Sequence, residues 1–212
     1  MKPILAVSTS GKLCSVSLLI NNEDYVSYNF NKNQVHSEKL VAMIDTVLKE
    51  SNIALNECEG IAVSMGPGSF TGLRIGLSAV KALAYGANLP IYPISEFDAM
   101  AMFANNFVTI NSTFNLAIKV NRDEVYFAKY LKKEQGFELI DKIEIILISD
   151  VSNYIKSDEL IFGNINYKDI KLIDGVDAVF IAKYALLYGK DLLTLNFDYF
   201  EPNYLKNFIP RC

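Results

Sequence analysis

The stretch SMGPGSFTGLRIG (64–76) places glycines at 66, 68, 72 and 76 around Pro67, the hydroxyls of Ser69 and Thr71, and Arg74. It follows GIAVSM (60–65), which reads as a buried strand, and it runs into a helix predicted over 73–85. A strand that turns through glycines into a helix presents backbone N–H groups and a positive dipole end, an arrangement that suits an anion. On that reading Gly66, Gly68, Ser69 and Thr71 are candidate phosphate contacts. The stretch is neither a Walker A loop, since no Gly-Lys-Ser/Thr follows, nor a G-x-G-x-x-G fingerprint. The same residues also fit a purely structural role. Gly66-Pro67-Gly68 makes a tight turn, Ser69 or Thr71 caps the helix, and Gly72, Gly76, Ala79 and Gly86 share one helix side where another backbone can come close. The residues alone leave both readings open.

Outward from this loop the chain organises itself by apolar period. ILAVS (4–8), LCSVSLLI (13–20) and YVSYNF (25–30) are separated by TSGK and NNED and read as three consecutive antiparallel strands. From about Ser37 the period lengthens, with Leu40, Met43, Ile44, Val47 and Leu48 at helical spacing as far as Ser51-Asn52. After the loop and its helix, ANLPIYPIS carries the chain out and EFDAMAMFA begins another helix. The same order then recurs: FNLAIKV (114–120), VYFAKYL (125–131) and FELID (137–141) as strands, a helix over SDVSNYI, LIFGN (160–164) as a strand, and DAVFIAKYALLYG (177–189) as a helix. Asp174 or Asp177 is its candidate cap and Gly189 its stop. No letter-for-letter repeat exists. The duplication lies in element order, β-β-β-α-β-α twice, which predicts an α/β, duplicated ribonuclease-H-like architecture of the actin and sugar-kinase superfamily. The expected split falls in the polar ANNFVTINST, giving lobes 1–105 and 106–212, the first carrying the glycine loop and the second a tail that packs back on the first.

The 212 residues are 51% hydrophobic and 21% charged, enough to bury a core, with a net charge of −4. A chain that grips nucleic acid alone carries a basic face, because phosphate neutralisation supplies most of the affinity. Lys132-Lys133 and Lys168 to Lys171 read instead as solvated loop charges, so an RNA target implies a partner that does the gripping. Cys14, Cys58 and Cys212 are far apart and form no C-x-x-C pair, which points to neither a disulfide framework nor a zinc site. MKPILAVSTSGK is too short in apolar residues for a signal peptide, and no stretch approaches a membrane span, so the expected location is the cytoplasm.

GPGSFTGLRIGLSAVKALAYGANLPIYPIS resembles the signature of the TsaB (YeaZ) family. ILAVSTSGKLCSVSLL, HSEKLVAMIDTVL (36–48), DEVYFAKY (123–130) and PNYLK (202–206) add to it, the first half matching better than the second. The resemblance implies a subunit of the bacterial machinery that installs threonylcarbamoyl on N6 of adenosine 37 in tRNAs reading ANN codons. It implies a non-catalytic scaffold or activator that pairs with the catalytic paralogue TsaD, meets the ATPase subunit TsaE through the complex, and reaches tRNA indirectly. In the family, two N-terminal helices pack on the paralogue as a four-helix bundle. Carried over, that makes Leu40, Met43, Ile44, Val47, Leu73, Arg74, Gly76, Leu77 and Val80 the candidate partner interface, with a homodimer when the partner is absent.

The resemblance also bears on chemistry. TsaD shares the glycine loop and carries a metal-binding His-x-x-x-His beyond it. Carried over without gaps from Gly66-Pro67-Gly68, the two histidines fall at Glu96 and Met100, and His36 is the chain's one histidine. No two-histidine metal site can form, and no metal ligands or catalytic residues are expected. His36 itself reads as a hydrogen-bonded residue at a helix start. Where much of the family has Asp-Thr-Ser, this chain has Ser8, Thr9 and Ser10; where relatives often begin Asp-Ala-Arg, it has Lys119, Val120 and Asn121. Both changes argue against ATP turnover. No cofactor is expected to be required, with a nucleotide at a shared interface as the remaining option. An actin-like ATPase or kinase acting alone, and a homodimeric scaffold unrelated to tRNA, are the alternatives. Peptidase activity lacks an activated nucleophile or a metal-bound water.

Overall fold

The computed structural model describes residues 1–32, 35–173 and 175–203. Its first sheet begins with three antiparallel strands, β1 (Ile4–Ser8), β2 (Leu13–Leu19) and β3 (Tyr25–Asn31). Helix α1 (His36–Ser51) then leads to β4 (Gly60–Ser64), helix α2 (Phe70–Ala87), β5 (Ile91–Ile94) and helix α3 (Glu96–Ala104). The strand order is β3-β2-β1-β4-β5, with β4 parallel to β1 and β5 parallel to β4. The second half holds β6 (Thr113–Lys119), β7 (Glu124–Lys132), β8 (Phe137–Leu139), β9 (Glu144–Leu147), β10 (Leu160–Gly163), β11 (Lys171–Leu172) and helix α4 (Ala178–Tyr188). Its sheet, read as β8-β7-β6-β10-β11, repeats the order of the first. The duplicated ribonuclease-H-like architecture read from element order is therefore present.

The apolar alternation of β1 explains how the layers stack. Ile4 and Ala6 face a core built with α3, α4 and the second sheet, while Leu5 and Val7 face a core built with α1 and α2. Successive strand side chains point to opposite faces, so a fully apolar strand such as ILAVS must be covered on both. Helices α3 and α4 form one central layer between the sheets, and the residues around them make a single core that both halves share. The outer face of the second sheet is covered without a long helix, by Val151 and Ile165 from irregular segments.

Four local readings differ from the structure. ANLPIYPIS contains strand β5; Pro93 is tolerated there because β5 is the last strand of its sheet, closed only by an isolated bridge from Ile91 to Thr194. The segment expected to be helical around SDVSNYI is a 3-10 turn over Ile148–Asn153 with Val151 its one buried residue. Its Ser, Asp and Asn side chains compete for the backbone, and one apolar anchor gives a helix nothing to pack. No helix joins β10 to β11, so α4 is the counterpart of α3 rather than of α2. The second copy is thus an abbreviated version of the first. Helix α2 begins a turn earlier than its apolar period indicated, at the Ser69 cap, and α1 ends on Asn52 in the left-handed region. Among the described residues no helix is long and apolar enough to cross a membrane.

Candidate functional site

The glycine loop sits where the two halves meet. Its backbone is held against the β1–β2 turn: the Ser69 N–H donates to the Ser10 carbonyl at 2.6 Å, and Thr9 Oγ1 donates to the Gly72 carbonyl at 2.7 Å. A Cβ on Gly68 would lie 2.3 Å from the Ser10 carbonyl oxygen, one on Gly72 2.1 Å from the Thr9 carbonyl oxygen, and one on Gly76 2.2 Å from Thr9 Oγ1. These contacts are too short for any side chain, so three of the glycines are required by packing within the chain. Gly66 has φ +95 and accepts from the Glu96 N–H at 2.8 Å. Ser69 Oγ accepts from the Gly72 N–H at 3.2 Å, which is the helix cap. The loop's N–H of Ser69 and its best hydroxyl are thus already engaged.

In front of the loop lies a cleft of about 830 Å³. Ser10, Gly11 and Lys12 form one wall, the α2 N-terminus from Gly68 to Gly72 another, and Lys119, Val120 and Asn164 of the second half a third. Asn164 Oδ1 accepts from the Lys119 N–H at 2.7 Å and orders that edge. Among the described residues lining the cleft there are two lysines, several hydroxyls and no carboxylate. Such a lining attracts an anion but offers a hard divalent cation none of the charged oxygens it needs. The residues present therefore do not fit a magnesium-bound nucleotide. His36 lies on the cleft wall, and its buried Nε2 has no hydrogen-bond partner among the described residues.

Behind the loop, Glu96 is fully enclosed. Ser64 Oγ donates to its carboxyl at 2.6 Å, and the Ser10 hydroxyl and the Val176 N–H also bond to it. Burial pushes its pKa up against those hydrogen bonds. One side chain thereby ties the end of β4, the β1–β2 turn and the approach to α4. Met100 is buried one turn further along α3. The pair that the TsaD motif carries over to histidine is thus a hydrogen-bonded acid and a core thioether. Among the described residues no three His, Cys, Asp or Glu side chains converge as a metal site.

The family model described as "TsaD: tRNA N6-adenosine threonylcarbamoyltransferase" matches residues 31–174. The tRNA threonylcarbamoyladenosine biosynthesis protein TsaB of Haemophilus influenzae is 37% identical over 62% of this chain and 55% of its own length. That of Buchnera aphidicola subsp. Schizaphis graminum is 30% identical over 79% of this chain and 80% of its own. The chain belongs to the TsaB (YeaZ) family. Its match spans between 55% and 66% of the length of three curated TsaB relatives. A crystal structure of a Pseudomonas aeruginosa protein described as similar to peptidase YEAZ shares the fold, with a TM-score of 0.81, 24% identity and coverage of 97% of this chain and 100% of that one.

Most of the residues carried over as the partner interface are buried within this chain. Leu40, Met43, Ile44 and Val47 of α1 and Leu77 and Val80 of α2 are buried in this chain's own core, and Leu73 is buried as well. Gly76 faces Thr9 rather than a second subunit. Of the nine residues only Arg74 is at the surface, its guanidinium 3.9 Å above the Phe70 ring. The apolar stripe at three- and four-residue spacing is the core stripe, as amphipathic geometry requires. The residues of α2 that are exposed are instead Phe70, Arg74, Ser78 and Ala82 at four-residue steps, then Tyr85 at 82% exposure, with Val41 of α1 at 63%.

Of the candidate phosphate contacts, Gly66 is buried behind the loop, while Gly68, Ser69 and Thr71 border the cleft. The C-terminal segment is packed as far as it is described. Phe197 joins the α1–α2 core, Lys81 Nζ donates to the Asp198 carbonyl at 2.7 Å, and the Asn203 N–H donates to the Met65 carbonyl at 2.7 Å. Residues 204–212, Cys212 among them, and the alternative cap Asp174 lie outside the described residues.

Proposed function

We propose that this chain works in the biosynthesis of threonylcarbamoyladenosine in tRNA as a non-catalytic partner of a TsaD-type threonylcarbamoyltransferase. The observation that carries the reading is the interlobe cleft. A family whose relatives are named for threonylcarbamoyladenosine biosynthesis here presents a nucleotide-type cleft with lysines at 12 and 119 and no lining carboxylate among the described residues. An ATPase needs acidic oxygens to hold its metal, and this lining repels the metal. The role left to the chain is to bind and hold others in place. The fold divides into lobes 1–105 and 106–212 for that purpose, with a TsaE-type ATPase and tRNA reached through the complex, in the cytoplasm. Gly68, Ser69 and Thr71 are vestiges of a phosphate site, retained because they pack.

The partner surface in this reading is the exposed stripe of α2, Phe70, Arg74, Ser78, Ala82 and Tyr85, with Val41 of α1 beside it. Small residues between two aromatic ends let a second helix pair approach closely, and the aromatic ends supply the buried area that anchors such contacts. The same stripe serves a homodimer when the partner is absent.

Light scattering on a size-exclusion column, with the chain mixed with TsaD from the same cell, tests the proposal. A stable heterodimer is expected, and Ala82→Arg is expected to abolish it while leaving the melting temperature unchanged. Two separate peaks for the wild-type mixture, or magnesium-dependent ATP turnover by this chain alone, would overturn it. The second outcome would favour an actin-like ATPase.

A further inference from the structure

A second cavity, of about 250 Å³, opens between the central helices and the second sheet and shares no lining residue with the cleft. Its walls are aromatic. Tyr184 and Tyr188 come from successive turns of α4, Tyr130 from β7 and Phe137 from β8. Ring centroids are 5.2 Å apart for Tyr184–Tyr188, 6.0 Å for Phe137–Tyr188, 6.3 Å for Phe137–Tyr184 and 5.8 Å for Tyr130–Phe137. The Tyr130–Phe137 and Phe137–Tyr188 pairs meet edge to face, so the rings that line this space do not form one parallel stack.

Asp98, on the first turn of α3, also lines this space. Its carboxyl accepts from the Tyr130 hydroxyl at 3.5 Å and from that of Tyr184. Burial raises its pKa, partly offset by those two phenols. Among the described residues no salt bridge pairs a cationic side chain with it; Glu138, which also lines the cavity, is paired with Lys133 at 2.9 Å. A largely buried carboxylate with no positive partner is costly, and two phenol hydrogen bonds, one of them long, offset it only in part. A core built only for packing would place an apolar side chain there. Gly136 adds a constraint: it has φ +79, and a Cβ on it would lie 2.1 Å from Tyr188 Oη. The β7–β8 turn is therefore kept bare where Tyr188 closes one side.

Three tyrosines, a phenylalanine, a leucine and two acids, with no cation among the liners, are the chemistry that recognises an organic ammonium. The ring faces attract the charge through their quadrupoles and the carboxylate supplies the counter-ion. We infer that this cavity is a binding site for an alkylammonium group, with Asp98 as its counter-ion and Tyr130, Phe137, Tyr184 and Tyr188 as its aromatic cage. The volume fits one ammonium head and its methyl or methylene substituents and is too small for a nucleotide. The ammonium comes either from a free small molecule or from a lysine side chain reaching in from another protein. The chemistry recognised is the same.

Proton NMR and calorimetry on the full chain test the site with choline for the free cation, the peptide Gly-Lys-Gly for the lysine side chain, and 3,3-dimethylbutanol as the neutral isostere of choline. Choline or the peptide is expected to bind saturably, with a Kd on the order of 1 mM, and its protons are expected to move upfield in the ring currents of the cage. Which of the two binds tighter identifies the source. The neutral isostere is expected to bind at least about tenfold more weakly. Asp98→Asn is expected to remove most of that preference. Tyr188→Leu, at a half-exposed position that leaves the core intact, is expected to weaken the cation by about tenfold should Asp98→Asn fail to fold. Equal binding of choline and its isostere, or no saturable binding of either cation, would overturn the inference.

Discussion

Thr9 Oγ1 donates a 2.7 Å hydrogen bond to the Gly72 carbonyl, joining the first turn of the chain to the first turn of α2 across 63 residues. That bond is possible only because α2 lies against the turn with no side chain between them. The glycine loop is consequently a piece of interior architecture before it is a ligand site, and its glycines should respond to substitution according to what each faces.

Gly72→Ala places a methyl group against the Thr9 carbonyl and is expected to destabilise the protein by about 1–3 kcal/mol in urea denaturation. Gly76→Leu is expected to unfold the first half through Thr9. Gly86, on the same helix, has nothing within 4 Å of its Cβ position. Gly86→Ala is therefore expected to stabilise by roughly 0.5–1 kcal/mol through helix propensity. Equal effects at 72 and 86 would show that the approach of α2 to Thr9 does not constrain the sequence.

Asp177 caps α4 by accepting from the Val179 N–H at 2.9 Å, and the same carboxylate accepts from Ser17 at 3.0 Å, Ser27 at 2.8 Å and Asn29. A residue of the second half is thereby bonded to β2 and β3 of the first. Asp177→Ala is expected to cost at least about 2 kcal/mol, more than a cap alone, because it also removes the shared acceptor of Ser17, Ser27 and Asn29. Amide exchange should rise in both α4 and β2. A change confined to α4 would mean the bonds to the first sheet contribute nothing.

Glu96 has a raised pKa because it is buried, so the unfolded chain ionises first as pH rises and folded stability falls above the ordinary value of 4.5. Glu96→Gln keeps an acceptor for Ser64 and is expected to be neutral or stabilising at neutral pH, and to flatten that slope. Glu96→Ala leaves Ser64 and the Val176 N–H unpaired and is expected to cost about 1–3 kcal/mol. Melting temperature against pH for the three proteins checks this; a wild-type slope retained in Glu96→Gln would contradict it.

Glu159 behaves in the opposite sense. Burial pushes its pKa up, but Thr113 at 2.6 Å, Asn115 at 3.0 Å, Lys129 at 2.9 Å and the Lys156 N–H at 3.2 Å prevail and bring it down from 4.5 to about 2. Its folded pKa is depressed, so its contribution is complete above about 4.5 and is lost as pH falls toward 2. Glu159→Gln is expected to melt well below wild type at neutral pH, with the gap closing in acid. A gap independent of pH would assign the loss to packing instead.

Much of the architecture was legible in the sequence because it follows from local period. ILAVS, LCSVSLL and GIAVS read as strands, the 36–51 and 178–188 helices read from their apolar spacing, and the repeated order of elements gave the duplication. The absence of a second histidine and the exchange of acids for Ser8 and Lys119 also belong to the sequence alone, since composition limits what chemistry a site can hold. What the sequence could not divide was one apolar helix residue from another. Leu40, Leu73 and Val80 carry the same signal whether they meet their own sheet or another subunit, and only the packing of α1 and α2 on one face of the first sheet buries them. The same holds for Asp98 and Tyr188, separated by the whole second sheet along the chain. Their meeting is a consequence of α3 and α4 packing side by side, which no local spacing records because the two helices are brought together by a core that both halves share.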